Sequence, residues 1–247
     1  MFLRHFQSPP PELLLIHGLF GHTNNLRIFA DILNKTLQQR ISSVDLRNHG
    51  QSIHGPMTFD HIRNDINPIM TSPMIVCGHS LGGKVVMDNM NHPNIKAGVI
   101  LDMSPRKSNL SLMKSYLYIM LEANLKYDTR QALKDFLMSK INNIEIVQFL
   151  MTNLRRSVDN KWEFQLGLQY LLDGLDAMSS DISTSSNKPM LFIKGSESDY
   201  IKEEDEIEIK ALYPNATIKT VKGSHWVHFI SPQDIANLIL KFKYENK

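Results

Sequence analysis

The chain has 247 residues, 42% of them apolar, and a formal net charge of +2. That length and apolar content fit one α/β domain with an insertion and exclude a disordered chain. The near-neutral charge, with no basic block, argues against nucleic acid as the main partner, and the single cysteine, Cys77, excludes an internal disulfide or a cysteine-built zinc cluster.

No apolar stretch reaches membrane-spanning length. The start, Met1-Phe2-Leu3-Arg4-His5-Phe6, reads as too short and polar for a signal peptide. A lone cysteine fits a reducing compartment, so a cytoplasmic chain is the expectation. Oligomeric state is not set by the sequence.

In chain order, five short apolar runs predict sheet strands: Glu12 to His17, Ile41 to Asp45, Met74 to Cys77, Ala97 to Asp102 and Pro189 to Lys194. Most are continuously apolar, as strands covered on both faces require. A sixth run, Ala216 to Val221, mixes polar residues in and predicts a position nearer an edge. Helical patterns fall between them at Leu26 to Gln38, Met57 to Asn67 and Gly83 to Met90. Alternating strand and helix predicts a doubly wound, mostly parallel α/β sheet.

The alternation stops between Ser104 and Ser186. Leu110, Met113, Leu117, Met120 and Leu121 follow helical spacing, as do Ala132 to Leu137 and Ile144 to Leu150. These consecutive helices read as an inserted lid over residues 105–186, with the core formed by 1–104 and 187–247. The alternative is a plain helical layer on one sheet face. The serine-rich Asp181 to Asn187 predicts the return to the sheet. The acidic run Glu203 to Glu208 reads as a solvated helix face.

Residues 78 to 82 read Gly-His-Ser-Leu-Gly at the end of an apolar run. This Gly-x-Ser-x-Gly pattern is a nucleophile elbow, a strand-to-helix turn that lifts one serine hydroxyl out of the sheet. Gly78 and Gly82 would let strand and helix approach closely around Ser80. A serine hydroxyl needs a base to take its proton. His225, after the last strand, is the first candidate, with His228 as fallback. The third group should be a carboxylate that orients the imidazole. Asp102 ends the strand after the elbow, and Asp199 lies on the loop after the next strand. Strand position alone leans to Asp199.

The oxyanion of an acyl-transfer intermediate needs backbone donors. Leu81 follows the nucleophile and supplies one. Leu19, or its neighbour Phe20, supplies the other from the loop His17-Gly18-Leu19-Phe20-Gly21. His17 and His79 read as structural, and the polar loop Asp45 to Ser52 as a hydrogen-bond brace. Phe20, Met103, Met113, Met120, Trp162 and Trp226 are candidates for an acyl pocket. No cofactor or metal is expected, since the ten histidines are scattered.

Four stretches together carry a resemblance: His17 to Gly21, Asp45 to Ser52, Gly78 to Lys84, and Gly223-Ser224-His225-Trp226-Val227-His228. On them the chain resembles the α/β-hydrolase superfamily, and within it the YbfF-type esterases with the ABHD11-like hydrolases and the yeast ethanol acetyltransferases. The resemblance implies that the acid comes from the end of the strand after the elbow. It therefore shifts the choice to Asp102, with Asp199 as the alternative and Ser198 as a second partner near His225. The implied activity is a serine esterase or thioesterase acting on a small acyl ester or acyl-CoA-like thioester. An acyltransferase passing the acyl group to an alcohol is the alternative. A non-enzymatic binding protein on the same fold is the third reading.

Overall fold

The computed structural model describes residues 1–246. Its elements run β1 (Phe2–His5), β2 (Leu13–Ile16), α1 (Arg27–Leu37), β3 (Ile41–Asp45), α2 (Phe59–Ile66), β4 (Met74–His79), α3 (Leu81–Asn89) and β5 (Ile95–Leu101). Then follow α4 (Ser111–Ala123), α5 (Arg130–Lys140), α6 (Ile144–Met151), β6 (Leu154–Arg156), β7 (Trp162–Phe164) and α7 (Leu168–Ser179). The chain closes with β8 (Met190–Gly195), α8 (Glu203–Leu212), β9 (Ala216–Val221), α9 (Val227–Ile230) and α10 (Pro232–Glu245).

Seven strands form one sheet in the order β1-β3-β2-β4-β5-β8-β9. All neighbours pair in parallel except β1, which runs antiparallel on β3. The expected doubly wound sheet is thus present, with β9 at an edge. Alternate side chains of each central strand enter opposite cores. Leu14, Ile16, Val76 and Ile100 pack on one face, and Leu13, Leu15, Cys77 and Val99 on the other. Burial on both faces is why these runs carry no polar alternation.

Three features depart from the sequence reading. β1 was not expected, because its side chains are only partly buried and it pairs at the sheet edge. The segment between β5 and β8 is not wholly helical. An antiparallel hairpin, β6 with β7, interrupts it, in the register Leu154↔Phe164 and Arg156↔Trp162. The acidic run on α8 is also more than a solvated face. Asp205 and Glu208 pair with Arg106 at 3.5 and 2.9 Å, and Glu206 pairs with Lys194.

The parallel sheet carries the C-terminal ends of β4, β5 and β8 to one rim. Ser80, Asp102 and the turn after Gly195 therefore share that rim, where open α/β sheets place ligand sites. The loop after β2 and the short helix α9 reach the same edge.

Candidate active site

Ser80 sits between β4 and α3 with φ 53° and ψ −118°, outside the usual regions for a side-chain-bearing residue. Such strain persists only where surroundings hold it. Here the Ser80 N–H donates to Leu101 O at 3.0 Å, and Ser80 O accepts from Gly83 N–H at 2.8 Å. Close packing needs the flanking glycines. A Cβ on Gly78 would fall 2.1 Å from Gly82 O, and one on Gly82 would fall 2.3 Å from Ile16 O.

His225 follows β9. Its Nδ1 lies 2.7 Å from Asp102 Oδ2. Asp102 is wholly buried at the end of β5, with φ 52°. Its other oxygen accepts the Gly195 N–H at 3.0 Å, and Ser198 Oγ donates to Oδ2. An acceptor-only carboxylate at Nδ1 means that Nδ1 carries the proton, leaving Nε2 as the basic nitrogen. His225 O in turn accepts from His79 Nε2 at 2.8 Å. Asp199 is exposed on the turn beyond Ser198 and makes no contact with His225.

The loop after β2 is held by two buried histidines. His17 Nε2 accepts the Leu46 N–H at 3.0 Å, so its Nδ1 donates to Gly18 O at 2.8 Å. His49 Nε2 accepts the Phe20 N–H at 3.1 Å, so its Nδ1 donates to Arg47 O at 2.8 Å. Burial lowers the pKa of each to about 3, keeping both neutral. The Phe20 N–H is therefore spent, which removes Phe20 as the alternative oxyanion donor. Among the described residues, the N–H groups of Leu19 and Leu81 have no hydrogen-bond partner within the chain. The polar loop behaves as a brace. Asp45 accepts from Thr23 N–H at 2.6 Å and Gln51 N–H at 2.9 Å, and Arg47 pairs with Asp65 at 2.7 Å. Gly50 has φ +52°, and a Cβ there would meet Asp45 Oδ2 at 2.2 Å.

Ser80, Leu81, Leu19 and His225 border one cavity of about 100 Å³. Its walls are mostly apolar and include Phe20, Met103, Met113, Phe149 and Trp226. The Trp226 ring packs on Phe149 of α6 with centroids 4.9 Å apart.

The alpha/beta hydrolase family matches residues 13–238. The chain belongs to the alpha/beta hydrolase family. It is 30% identical to the sn-1-specific diacylglycerol lipase ABHD11 of Danio rerio, over 93% of this chain and 77% of that protein. It is 29% identical to esterase YbfF of Escherichia coli, over 97% of this chain and 94% of that one. A solved marine microorganism esterase superposes with a TM-score of 0.90 at 26% identity, covering 98% of both chains. Membership thus falls in the group of YbfF and ABHD11, and the relatives' names support a hydrolase of the esterase and lipase type.

In this alpha/beta hydrolase two expected pocket residues lie elsewhere. Trp162 does not border the cavity, because it sits on β7, where the Arg156 guanidinium covers its ring at 4.5 Å. Met120 is fully buried on the inner face of α4 and is a core residue. His228 does border the cavity, 4.3 Å from the His79 ring, but burial holds its pKa near 3. It is also not a partner of Asp102.

Some site-proximal residues carry no sequence signal. Tyr200 stacks on His225, and Asn153 Nδ2 donates to Phe20 O at 2.9 Å. Both come from segments distant in sequence from what they touch. Lys84 could have been found, since it follows the elbow's last glycines. Its Nζ donates to Arg106 O, Ser179 O and Ser180 O at 2.8, 2.9 and 2.6 Å. It thereby ties both ends of the segment between β5 and β8 to α3. Burial lowers its pKa to about 8, which leaves it charged at neutral pH.

Among the described residues, no group of three or more His, Cys, Asp or Glu is arranged to hold a metal ion. Nor is any described helix long and apolar enough to cross a membrane.

Proposed function

We propose that the chain hydrolyses carboxylic esters through an acyl-enzyme on Ser80. His225 Nε2 takes the Ser80 proton as the serine oxygen attacks the acyl carbonyl. Asp102 keeps the imidazole in the required tautomer and stabilises it once protonated. The N–H groups of Leu81 and Leu19 stabilise the oxyanion. As the carbonyl re-forms, the bond to the alcohol breaks and His225 returns the proton to that leaving oxygen. Water then attacks the acyl-enzyme, His225 takes its proton, and Ser80 is released with that proton. The single observation that carries the reading is the 2.7 Å contact of His225 with wholly buried Asp102, at the cavity Ser80 borders.

The substrate follows from the lining. The walls are mostly apolar, and the lysine that reaches them, Lys84, has all three protons engaged by carbonyls. This supports a neutral ester with an apolar acyl limb. A coenzyme A thioester would have to keep its phosphates outside the cavity. Residues 105–186 act as the cap over a core of 1–104 and 187–247, with Lys84 as the strut at its neck.

The test is hydrolysis of p-nitrophenyl butyrate and butyryl-CoA by wild type and Ser80→Ala. The expected result is a loss of at least about a thousandfold in kcat on the preferred ester. Equal rates would sink the reading. Ethyl ester formation in added ethanol, exceeding hydrolysis, would move it to an acyltransferase.

A further inference from the structure

One face of the His225 imidazole is covered by the Tyr200 ring. The centroids lie 3.6 Å apart and the planes differ by 14°, a parallel stack. The neighbouring His79 ring is tilted by 41° at 4.7 Å and makes no such stack. The stack comes from the same turn that holds the carboxylate. Ser198 Oγ donates to Asp102 and accepts the Tyr200 N–H at 3.3 Å. One short segment after β8 thus fixes the acid and covers the base.

The invested part of Tyr200 is its ring. Its hydroxyl has no hydrogen-bond partner among the described residues, and burial, with the Asp102 charge, raises its pKa, so it stays neutral. An aromatic face carries negative potential and attracts a cation laid over it. A neutral imidazole gains only dispersion there, whereas an imidazolium gains charge stabilisation as well.

Asp102 stabilises the imidazolium at its Nδ1 edge, and the other groups around His225 add no charge stabilisation. His79 from β4 and His228 from α9 are both kept neutral by burial. Asp102 faces the Nδ1 edge, and Ser198 contacts Asp102 instead. Tyr116 of α4 lies near Tyr200 and makes no ring contact with His225 among the described residues.

We propose that Tyr200 is a positioning residue that acts through His225, its ring face stabilising the protonated imidazole and fixing the ring plane. This rests on the reading of Ser80 and His225 as the acyl-transfer pair. Each half-reaction protonates His225 once, so the stack contributes twice per turnover.

The test compares Tyr200→Phe and Tyr200→Leu with wild type. The kcat/KM of p-nitrophenyl butyrate is followed from about pH 5 to about pH 9, alongside NMR titration of the His225 Cε1–H. That resonance is assigned by its loss in His225→Gln. Tyr200→Phe should stay within about twofold of wild type with its acid limb in place. Tyr200→Leu should lose about five- to tenfold in kcat with KM little changed. Its acid limb and NMR midpoint should move to lower pH by about half to one unit. An unmoved NMR midpoint in Tyr200→Leu would reduce the stack to plain packing and overturn the proposal. A loss in Tyr200→Phe as large as in Tyr200→Leu would overturn it too, since the hydroxyl would then be responsible. If the leucine variant does not fold, Tyr200→Met gives the same readout. Ser80→Ala is assayed in parallel. Full activity there refutes the serine mechanism, while the NMR titration still judges the stack.

Discussion

The Phe20 N–H donates to His49 Nε2 at 3.1 Å, across 29 residues of chain. That bond requires an unprotonated Nε2, and the His17 bond from Leu46 N–H imposes the same demand. Neither ring can take a second proton without losing a backbone partner that holds the loop after β2.

This makes the fold acid-sensitive. His17, His49 and His228 have folded pKa values near 3, against 6.5 for an unperturbed side chain. The folded state is the one that resists protonation. Stability from these groups is complete above pH 6.5 and is lost as pH falls from 6.5 towards 3. Each such histidine costs about 1.4 kcal/mol per pH unit within that window, or about 4 kcal/mol per unit for the three together. Urea midpoints should therefore drop steeply between about pH 7 and about pH 5. In His49→Gln, whose amide oxygen can accept the Phe20 N–H, the slope should be shallower. A midpoint that does not change with pH would contradict the neutral, clamped state of these rings.

The two carboxylates separate cleanly by mutation. Asp102 is wholly buried against His225, and Asp199 is exposed and has no hydrogen-bond or ion-pair partner among the described residues. Asp102→Asn should lower kcat by about 10³ to 10⁴, because an amide presents the wrong hydrogen-bond pattern to Nδ1. Asp199→Asn should remain within about twofold. Kinetics on one activated ester decide it, and a larger loss at Asp199 would reassign the acid.

The elbow makes a sharper prediction about folding. A Cβ on Gly82 would meet two backbone oxygens, Ile16 O at 2.3 Å and His17 O at 2.7 Å. Neither can swing away as a side chain would. Gly82→Ala should cost more than about 3 kcal/mol or prevent folding. Gly55 is the internal control, since a Cβ there meets nothing within 4 Å. Gly55→Ala should be neutral or stabilising by up to about 1 kcal/mol. Denaturant titration of both variants reads the contrast directly.

The fold was legible where burial is two-sided. β2, β4 and β5 are continuous apolar runs because each feeds two cores, and Ile16 and Leu15 show the alternation directly. β1 and the β6–β7 hairpin were not legible, because their strands are short and partly exposed and leave no periodic signature. At the candidate site, Ser80, Leu81 and the loop at Leu19 are marked by local patterns with a steric cause. The partner of His225 is different. Asp102 and Asp199 both end up one strand or loop from the histidine in sequence logic, and only the buried end of β5 reaches its Nδ1. Trp162 shows the reverse error. A large aromatic in the inserted segment suggests a pocket wall, but hairpin pairing turns it against Arg156.

Asn153 carries the last prediction. Its Nδ2 donates to Phe20 O at 2.9 Å, while His49 takes the Phe20 N–H. Phe20 has φ 62°, a conformation that a bulky residue keeps only when held from both sides. The turn is closed by Gly21 N–H on Gly18 O at 3.0 Å, so the direction of the Leu19 N–H depends on these clamps. Asn153 also links this loop to the segment after α6, where its own carbonyl accepts the Gln165 N–H at 2.7 Å. Removing its side-chain donor should let the Phe20 peptide relax and turn the Leu19 N–H off the oxyanion. Asn153→Ala should lower kcat about tenfold with KM within about twofold, less than the hundredfold or more that follows outright loss of an oxyanion donor. Phosphonylation of Ser80 by a fluorophosphonate should slow in parallel, because the charge that develops on the phosphoryl oxygen as Ser80 displaces fluoride is held by the same donors. A rise in KM at unchanged kcat would instead place Asn153 in substrate binding alone.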